Sequence, residues 1–177
     1  DGMGGHSKGE QASAAVVDNL RSFTRMETLS ESIKDLETRF LLANNTCRNM
    51  YQKKTVGSTV AALLVYQSLA VFLWVGDSRI YRLRNGILTL ITEDHNLAQE
   101  QFRRGEISQD EAQRLPSANI LTRAIGIHQN LRLEIHCAAI ESGDRYLICS
   151  DGLYREFLLN EIRDILGIDE AEDVLEK

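Results

Sequence analysis

The chain has 177 residues, 43% of them hydrophobic and 26% charged, which fits one domain with enough apolar content to bury a core without disulfides. Lysine and arginine number 20 against 26 acidic residues, and the net charge of −6 excludes a nucleic-acid binder, which would carry a basic surplus. One proline and twelve glycines exclude collagen-like and proline-rich disordered chains, and three cysteines without a C-x-x-C pair predict a reduced, cytoplasmic protein.

Residues 1–10 hold no apolar stretch of a signal peptide. Residues 7–25 predict a helix, with Ser7 as N-cap, Glu10 completing a capping box, and Ala12, Ala15, Val16, Leu20 and Phe23 at helical spacing. Residues 29–53 predict a second, capped by Ser30, with Ile33, Leu36, Phe40 and Cys47 as its buried stripe and Ala43 and Met50 beside it. Residues 55–76 carry no charge over 22 positions, long enough to span a bilayer. Gln67-Ser68 interrupts the run and β-branched and aromatic residues fill it, so two buried strands joined by a tight turn are expected, with no membrane partner.

Strands are predicted at 58–66, 69–75, 79–84 and 87–92, the last two joined by the type I′ signal Asn85-Gly86, and together they suggest an antiparallel meander. Residues 93–126 are polar and charged and are split by Gly105 into two short helices, which reads as a surface flap. Strands at 131–137 and 144–150 follow as a hairpin through Glu141–Asp144, then helices at 159–167 and 170–177. The whole chain, 1–177, reads as one α+β domain built on antiparallel sheet.

Three aspartates stand where chemistry is expected. Asp77 follows the apolar strand ending Trp74-Val75-Gly76, Asp151 follows Leu147-Ile148-Cys149-Ser150, and Asp1 opens Asp-Gly-Met-Gly-Gly-His. Carboxylates at strand ends, with glycine leaving a neighbouring carbonyl open, suit hard divalent cations such as Mg²⁺ and Mn²⁺. Two such ions would hold a phosphate ester and activate a water. Asp-Gly is also a common turn dipeptide, so the residues alone leave both readings open. The four histidines, His6, His95, His128 and His136, show no zinc-ligand spacing. Cys149 and Arg155 match the C-x5-R phosphate loop of cysteine phosphatases, but Asp151 would set a negative charge inside that loop, and Cys149 reads as a buried strand residue. No G-x-S-x-G elbow is present.

Taken in order, Asp1-Gly2-Met3-Gly4-Gly5-His6, Gly57-Ser58-Thr59, Val75-Gly76-Asp77-Ser78-Arg79 with Tyr81, and Thr92-Glu93-Asp94-His95 resemble the bacterial metal-dependent Ser/Thr protein phosphatases of type 2C. Leu121-Thr122-Arg123-Ala124-Ile125-Gly126 and Gly143-Asp144 through Ser150-Asp151-Gly152-Leu153 continue the match. The resemblance implies an α-β-β-α sandwich of two antiparallel sheets flanked by helices, with residues 93–126 as the flap beside the active site. It implies Mn²⁺ or Mg²⁺, two ions in a core site with Asp1, the Gly2 carbonyl and Asp151 as ligands, and in bacterial members a third held by Asp77 and Asp151. No side chain is implied as catalytic acid or base. A metal-activated water hydrolyses phosphoserine or phosphothreonine in protein substrates, opposing a Ser/Thr kinase.

The chain departs from the family at both ends. The upstream Asn-Glu-Asp motif with its phosphate-binding arginine, and the late Asp-Asn motif, are absent from these 177 residues, and Met3 stands where eukaryotic members often have histidine. The sequence therefore reads as a partial domain, predicted to bind metal weakly and turn over little by itself, with open sheet edges that favour association. A catalytically inactive, phosphatase-like regulatory or binding module is the alternative.

Overall fold

Helical periodicity gives way to extended periodicity near Val56, and the computed structural model, which describes residues 1–3, 6–50 and 56–168, follows that change. The elements are β1 (Gly2–Met3), α1 (His6–Leu20), α2 (Leu29–Met50), β2 (Gly57–Ser58), β3 (Val60–Tyr66), β4 (Leu69–Val75), β5 (Arg79–Arg84) and β6 (Ile87–Leu90). Then come α3 (Leu97–Arg103), α4 (Gln109–Arg114), a 3-10 turn (Pro116–Asn119), β7 (Glu134–Ala139), β8 (Arg145–Cys149), α5 (Asp151–Tyr154) and α6 (Leu159–Leu166). The helix expected at 170–177, and positions 51–53 of the second helix, lie outside the described residues.

Helix α1 starts at His6, which places Ser7 inside its first turn, and it ends at Leu20, leaving Phe23 beyond the helix but packed on the core. Thr28, not Ser30, caps α2. Its hydroxyl accepts from the Glu31 N–H at 3.2 Å, and the Glu31 carboxylate accepts from the Thr28 N–H at 3.1 Å. Leu36, Phe40, Ala43 and Cys47 are buried as the stripe predicts, whereas Met50 is exposed.

The uncharged run forms β2, β3 and β4, and among the described residues no helix is long and apolar enough to cross a membrane. β3 and β4 pair antiparallel from Val60↔Val75 to Tyr66↔Leu69 around Gln67, at φ 53°. β5 and β6 pair around Asn85 and Gly86, whose φ of 52° and 75° are both positive, as a type I′ turn requires. The four strands are nevertheless not one meander. β4 takes β7 as its second neighbour and β5 takes β8, giving the orders β3-β4-β7 and β6-β5-β8. The expected β7–β8 hairpin is divided between the two sheets in the same way.

The physical reason lies in β4, buried from Ala70 to Val75. Its Val71, Leu73 and Val75 pack with Ala12, Ala15, Val16, Leu36 and Phe40 of the two long helices. Its Ala70, Phe72 and Trp74 pack with Ile80 and Tyr146 of the second sheet. A flat meander would leave one of these faces wet. The chain instead crosses between sheets at Gly76, whose φ of 108° and 2.5 Å approach of a would-be Cβ to Thr59 Cγ2 require glycine. With α6 packed against β6 on the far side, its Ile162 buried, the order of layers is the α-β-β-α sandwich.

The insert forms α3 and α4 on either side of Gly105, at φ 73°. Asn96 caps α3, and Ser108 with Glu111 forms a capping box on α4. Backbone bonds from Leu97 N to Ile120 O (2.9 Å) and from Thr122 N to His95 O (2.9 Å) close the insert at its base.

Two polar ties join distant segments. Asn44, fully buried on α2, donates to His128 O at 3.0 Å and accepts from Gly126 N at 2.7 Å. Arg84, at the end of β5, makes a two-point pair with Asp144 (2.7 and 2.6 Å) and bonds Glu141 (2.6 Å) and Ala139 O (2.8 Å), so one guanidinium bridges both sheets. That guanidinium holds the Asp144 carboxyl well below its ordinary 3.8.

Asn44→Ala removes the partner of the half-buried Gly126 N–H and of the His128 carbonyl and is expected to cost about 1–2 kcal/mol in urea unfolding. Because the Asp144 value is depressed on folding, its stabilisation is complete above the ordinary aspartate value and is lost as pH falls below it. Asp144→Asn is therefore expected to lower the melting temperature at pH 7 and to flatten its fall below about pH 4, read by thermal melts across pH.

Candidate active site

The corner between the sheets carries the first predicted site residue. Gly76 follows β4, and Asp77 and Ser78 continue from it into the interior, both buried. The Asp77 carbonyl accepts from the Tyr154 hydroxyl at 3.0 Å. Ser78 Oγ is 2.7 Å from Thr59 Oγ1, and Thr59 N donates to Asp1 O at 2.8 Å. Ser58 Oγ also donates to Asp1 O at 3.0 Å. These bonds fix the Asp1 backbone beside the corner. Gly2 pairs with Ser58, and its carbonyl oxygen lies against Gly9, where a Cβ would come within 2.5 Å. That close approach explains both glycines.

Asp151 enters from the other sheet, in the first turn of α5 directly after β8. Arg155, one turn on, reaches it at 3.2 Å and reaches Asp77 at 3.9 Å, so one guanidinium spans both carboxylates. Burial raises the Asp77 carboxyl above its ordinary value, with the charges of Asp94 and Asp151 adding to the rise and its own backbone bond and Arg155 opposing it. The Asp1 side chain belongs to an exposed residue.

A second group of residues braces the site. Arg79 forms a two-point pair with Asp94 (3.0 and 2.8 Å), donates to the Tyr81 hydroxyl (3.1 Å), and lies 3.7 Å from the centre of the Tyr154 ring. It thereby locks α5, and with it Asp151, to β5 and to the segment that begins the flap. His95 Nδ1 accepts from Gly76 N at 3.0 Å, and His95 N donates to Gly76 O at 3.0 Å. The ring stacks on Trp74, and burial, followed by the field of Arg123, pushes it down to about 4, so the imidazole is neutral at pH 7.

The structure thus brings together the carboxylates of Asp77 and Asp151 and the backbone at Asp1 and Gly2. Among the described residues no group of three or more His, Cys, Asp or Glu side chains gathers at metal-binding spacing. The donors present are all hard oxygens with a surplus of negative charge, which suits Mg²⁺ or Mn²⁺. The C-x5-R reading does not form a phosphate loop. Cys149 pairs across β5 with Arg79, burial pushes its thiol up, and Arg155 is committed to the two carboxylates. The roles of Arg155, Tyr154 and the Arg79–Asp94 pair go beyond the sequence reading. Their only signal was the presence of Arg79 and Asp94 in two motifs with no visible link between them.

This geometry agrees with known proteins. The family described as Protein phosphatase 2C matches residues 1–171. The serine/threonine phosphatase stp of Listeria monocytogenes is 34% identical over 174 residues, covering 94% of this chain and 69% of its own. PppA, described as a key regulatory component of T6SS in Pseudomonas aeruginosa, superposes with a TM-score of 0.88 at 34% identity, over 99% of this chain and 76% of that one. The catalytic domain of the serine/threonine protein phosphatase PstP, solved in complex with 2 manganese ions, gives a TM-score of 0.82 at 30% identity, over 99% and 77%. With matches of this extent and a two-sheet sandwich carrying its acidic residues at the corner between sheets, the chain belongs to the protein phosphatase 2C family of bacterial serine/threonine phosphatases.

Proposed function

We propose that this protein hydrolyses phosphoserine and phosphothreonine monoesters in cytoplasmic phosphoproteins, opposing a Ser/Thr kinase. Mn²⁺ or Mg²⁺ would be held by Asp1, the Gly2 carbonyl and Asp151 as a pair, with a third ion between Asp77 and Asp151. Such ions supply positive charge to the phosphoryl oxygens and lower the pKa of a water nucleophile. The manganese-bound PstP domain supports that choice of cofactor.

The observation that carries the reading is the meeting of Asp77 and Asp151, 74 positions apart and from different sheets, on the single guanidinium of Arg155. Two mutually repelling carboxylates at a partly buried corner are costly unless a cation is shared between them. Arg155 lies at the rim, 42% exposed at its side chain, where it can also face a substrate phosphoryl group. The Arg79–Asp94 pair and Tyr154 keep α5 in place so that Asp151 does not depend on a loop for its position. The flap, α3 to the 3-10 turn, begins directly after Asp94-His95 and so stands beside the acidic corner, where it can contact the protein part of the substrate.

The test is hydrolysis of p-nitrophenyl phosphate and of a phosphothreonine peptide with Mn²⁺ by the full-length protein. Asp77→Asn and Asp151→Asn are each expected to lower kcat/KM by about 10²–10³-fold, and a chelator should abolish activity. Cys149→Ser is expected to retain it. Full activity in Asp151→Asn would overturn the proposal, and a folded protein with no activity at all would point to a regulatory binding module.

A further inference from the structure

A second site lies away from the acidic corner. β3 packs against β8, which sets β7 over β6 at the other side of the sandwich, and there a cavity of about 560 Å³ opens between the sheets with α3 at its rim. Its walls are not what a sandwich interior predicts. Arg82 lines it, two residues after Ile80 on the inward face of β5, where Ile80 packs with Phe72 and Trp74. The Arg82 Nε is buried and has no hydrogen-bond partner among the described residues.

His95 lines the same cavity from the base of the flap and is 2% exposed. Its Nδ1 accepts from the Gly76 N–H, so the ring proton sits on Nε2. That Nε2 is likewise buried and has no partner among the described residues. Two residues from different segments thus line one cavity, and each carries a buried N–H with no hydrogen-bond partner among the described residues. Arg103 and Arg123 add two further guanidinium groups, balanced in part by Glu93 (3.5 Å from Arg103) and Glu134 (2.8 Å from Arg123). Three arginines against two glutamates leave the lining one positive charge in surplus.

An arginine turned into a sandwich interior costs free energy unless an acceptor meets its guanidinium. A neutral apolar occupant would leave that group unmatched, and a cation would face the surplus of arginine. We propose that this cavity binds a small oxyanion, inorganic phosphate or a multivalent carboxylate, whose oxygens accept from the guanidinium groups of Arg82 and Arg103. The site is distinct from the Asp77–Asp151 corner and does not rest on the phosphatase reading. It touches that corner at one point, since His95 holds Gly76, the residue before Asp77.

Trp74 gives a direct readout. It is the single tryptophan of the chain, it lines the cavity, and its indole N–H donates to Glu93 O at 2.9 Å. Phosphate and, separately, citrate are titrated into chelator-treated protein while tryptophan fluorescence is recorded, with sodium chloride at matched ionic strength as control. A saturable change with either anion and none with chloride is expected, and the anion that saturates at the lower concentration identifies the chemistry preferred. Arg82→Gln is expected to raise the dissociation constant about tenfold and Arg103→Gln several-fold, with Asp151→Asn leaving it unchanged. If circular dichroism shows Arg82→Gln to be unfolded, the rim variant Arg103→Gln decides alone. No saturable change with either anion, a response equal to that of chloride, or undiminished affinity in the folded arginine variants would overturn the proposal. Because no catalysis is read, a loss of phosphatase activity elsewhere does not affect the result.

Discussion

A strand that is apolar on both faces has to be covered on both, and β4 imposes that requirement on the rest of the chain. Val71, Leu73 and Val75 take the two long helices, and Phe72 and Trp74 take the second sheet. The second sheet can lie there only if the chain leaves the plane of the first within a residue or two of Val75. Gly76 permits that turn because its φ of 108° and its contact with Thr59 admit no side chain. The same turn that completes the core carries Asp77 inside, and it places the start of β5 where β8 can pair with it. Asp151 follows β8 directly, so the meeting of the two carboxylates follows from how β4 is buried.

Placing acids at such a corner works against stability, and the surrounding residues show how the cost is contained. Asp94 adds its field to that of Asp151 at Asp77. Yet Asp94 is held by both nitrogens of Arg79, whose guanidinium also covers the Tyr154 ring. Asp94 is thereby neutralised by a planar partner of matching geometry, whereas Asp77 and Asp151 share one arginine at longer range. One acid is part of the brace and two are left under-compensated. That difference in compensation separates the pair from Asp94, a distinction that counting aspartates does not make.

Much of this architecture was legible in the sequence, and the gaps have a common origin. Period and turn chemistry placed β3, β4, β5 and β6 to within a residue or two, because alternation, Gln67-Ser68 and Asn85-Gly86 are local signals. They could not say which strand neighbours which. A hairpin motif specifies its own pairing and is silent about the next strand, so two hairpins in two sheets look like one meander. The cap of α2 moved from Ser30 to Thr28 because the capping box depends on Glu31, three residues after Thr28, whereas Ser30 has only Ile33 at that spacing. The strand-end positions of Asp77 and Asp151 are local signals, whereas their approach to one arginine is not. Arg155 was visible only inside a misleading C-x5-R spacing, and its true partners are defined by tertiary contact. Asn44 was overlooked for a related reason. A polar residue next to an apolar stripe reads as surface until the loop it satisfies, Gly126 to His128, is folded against it.

His95 shows why the flap and the acidic corner are not independent parts. A neutral imidazole has one donor and one acceptor, and here the acceptor is spent on the Gly76 N–H while the backbone N–H of the same residue bonds the Gly76 carbonyl. This pair of bonds sets the corner on one side and fixes the ring, with its buried donor Nε2, on the other. The Thr122 N–H bond to the His95 carbonyl then ties the far end of the flap to the same residue. The flap base is thereby bonded to the peptide immediately before Asp77. Interior polar groups in a sandwich of this kind therefore do more than satisfy one another, because they hold the peptide before Asp77 by way of a neutral histidine.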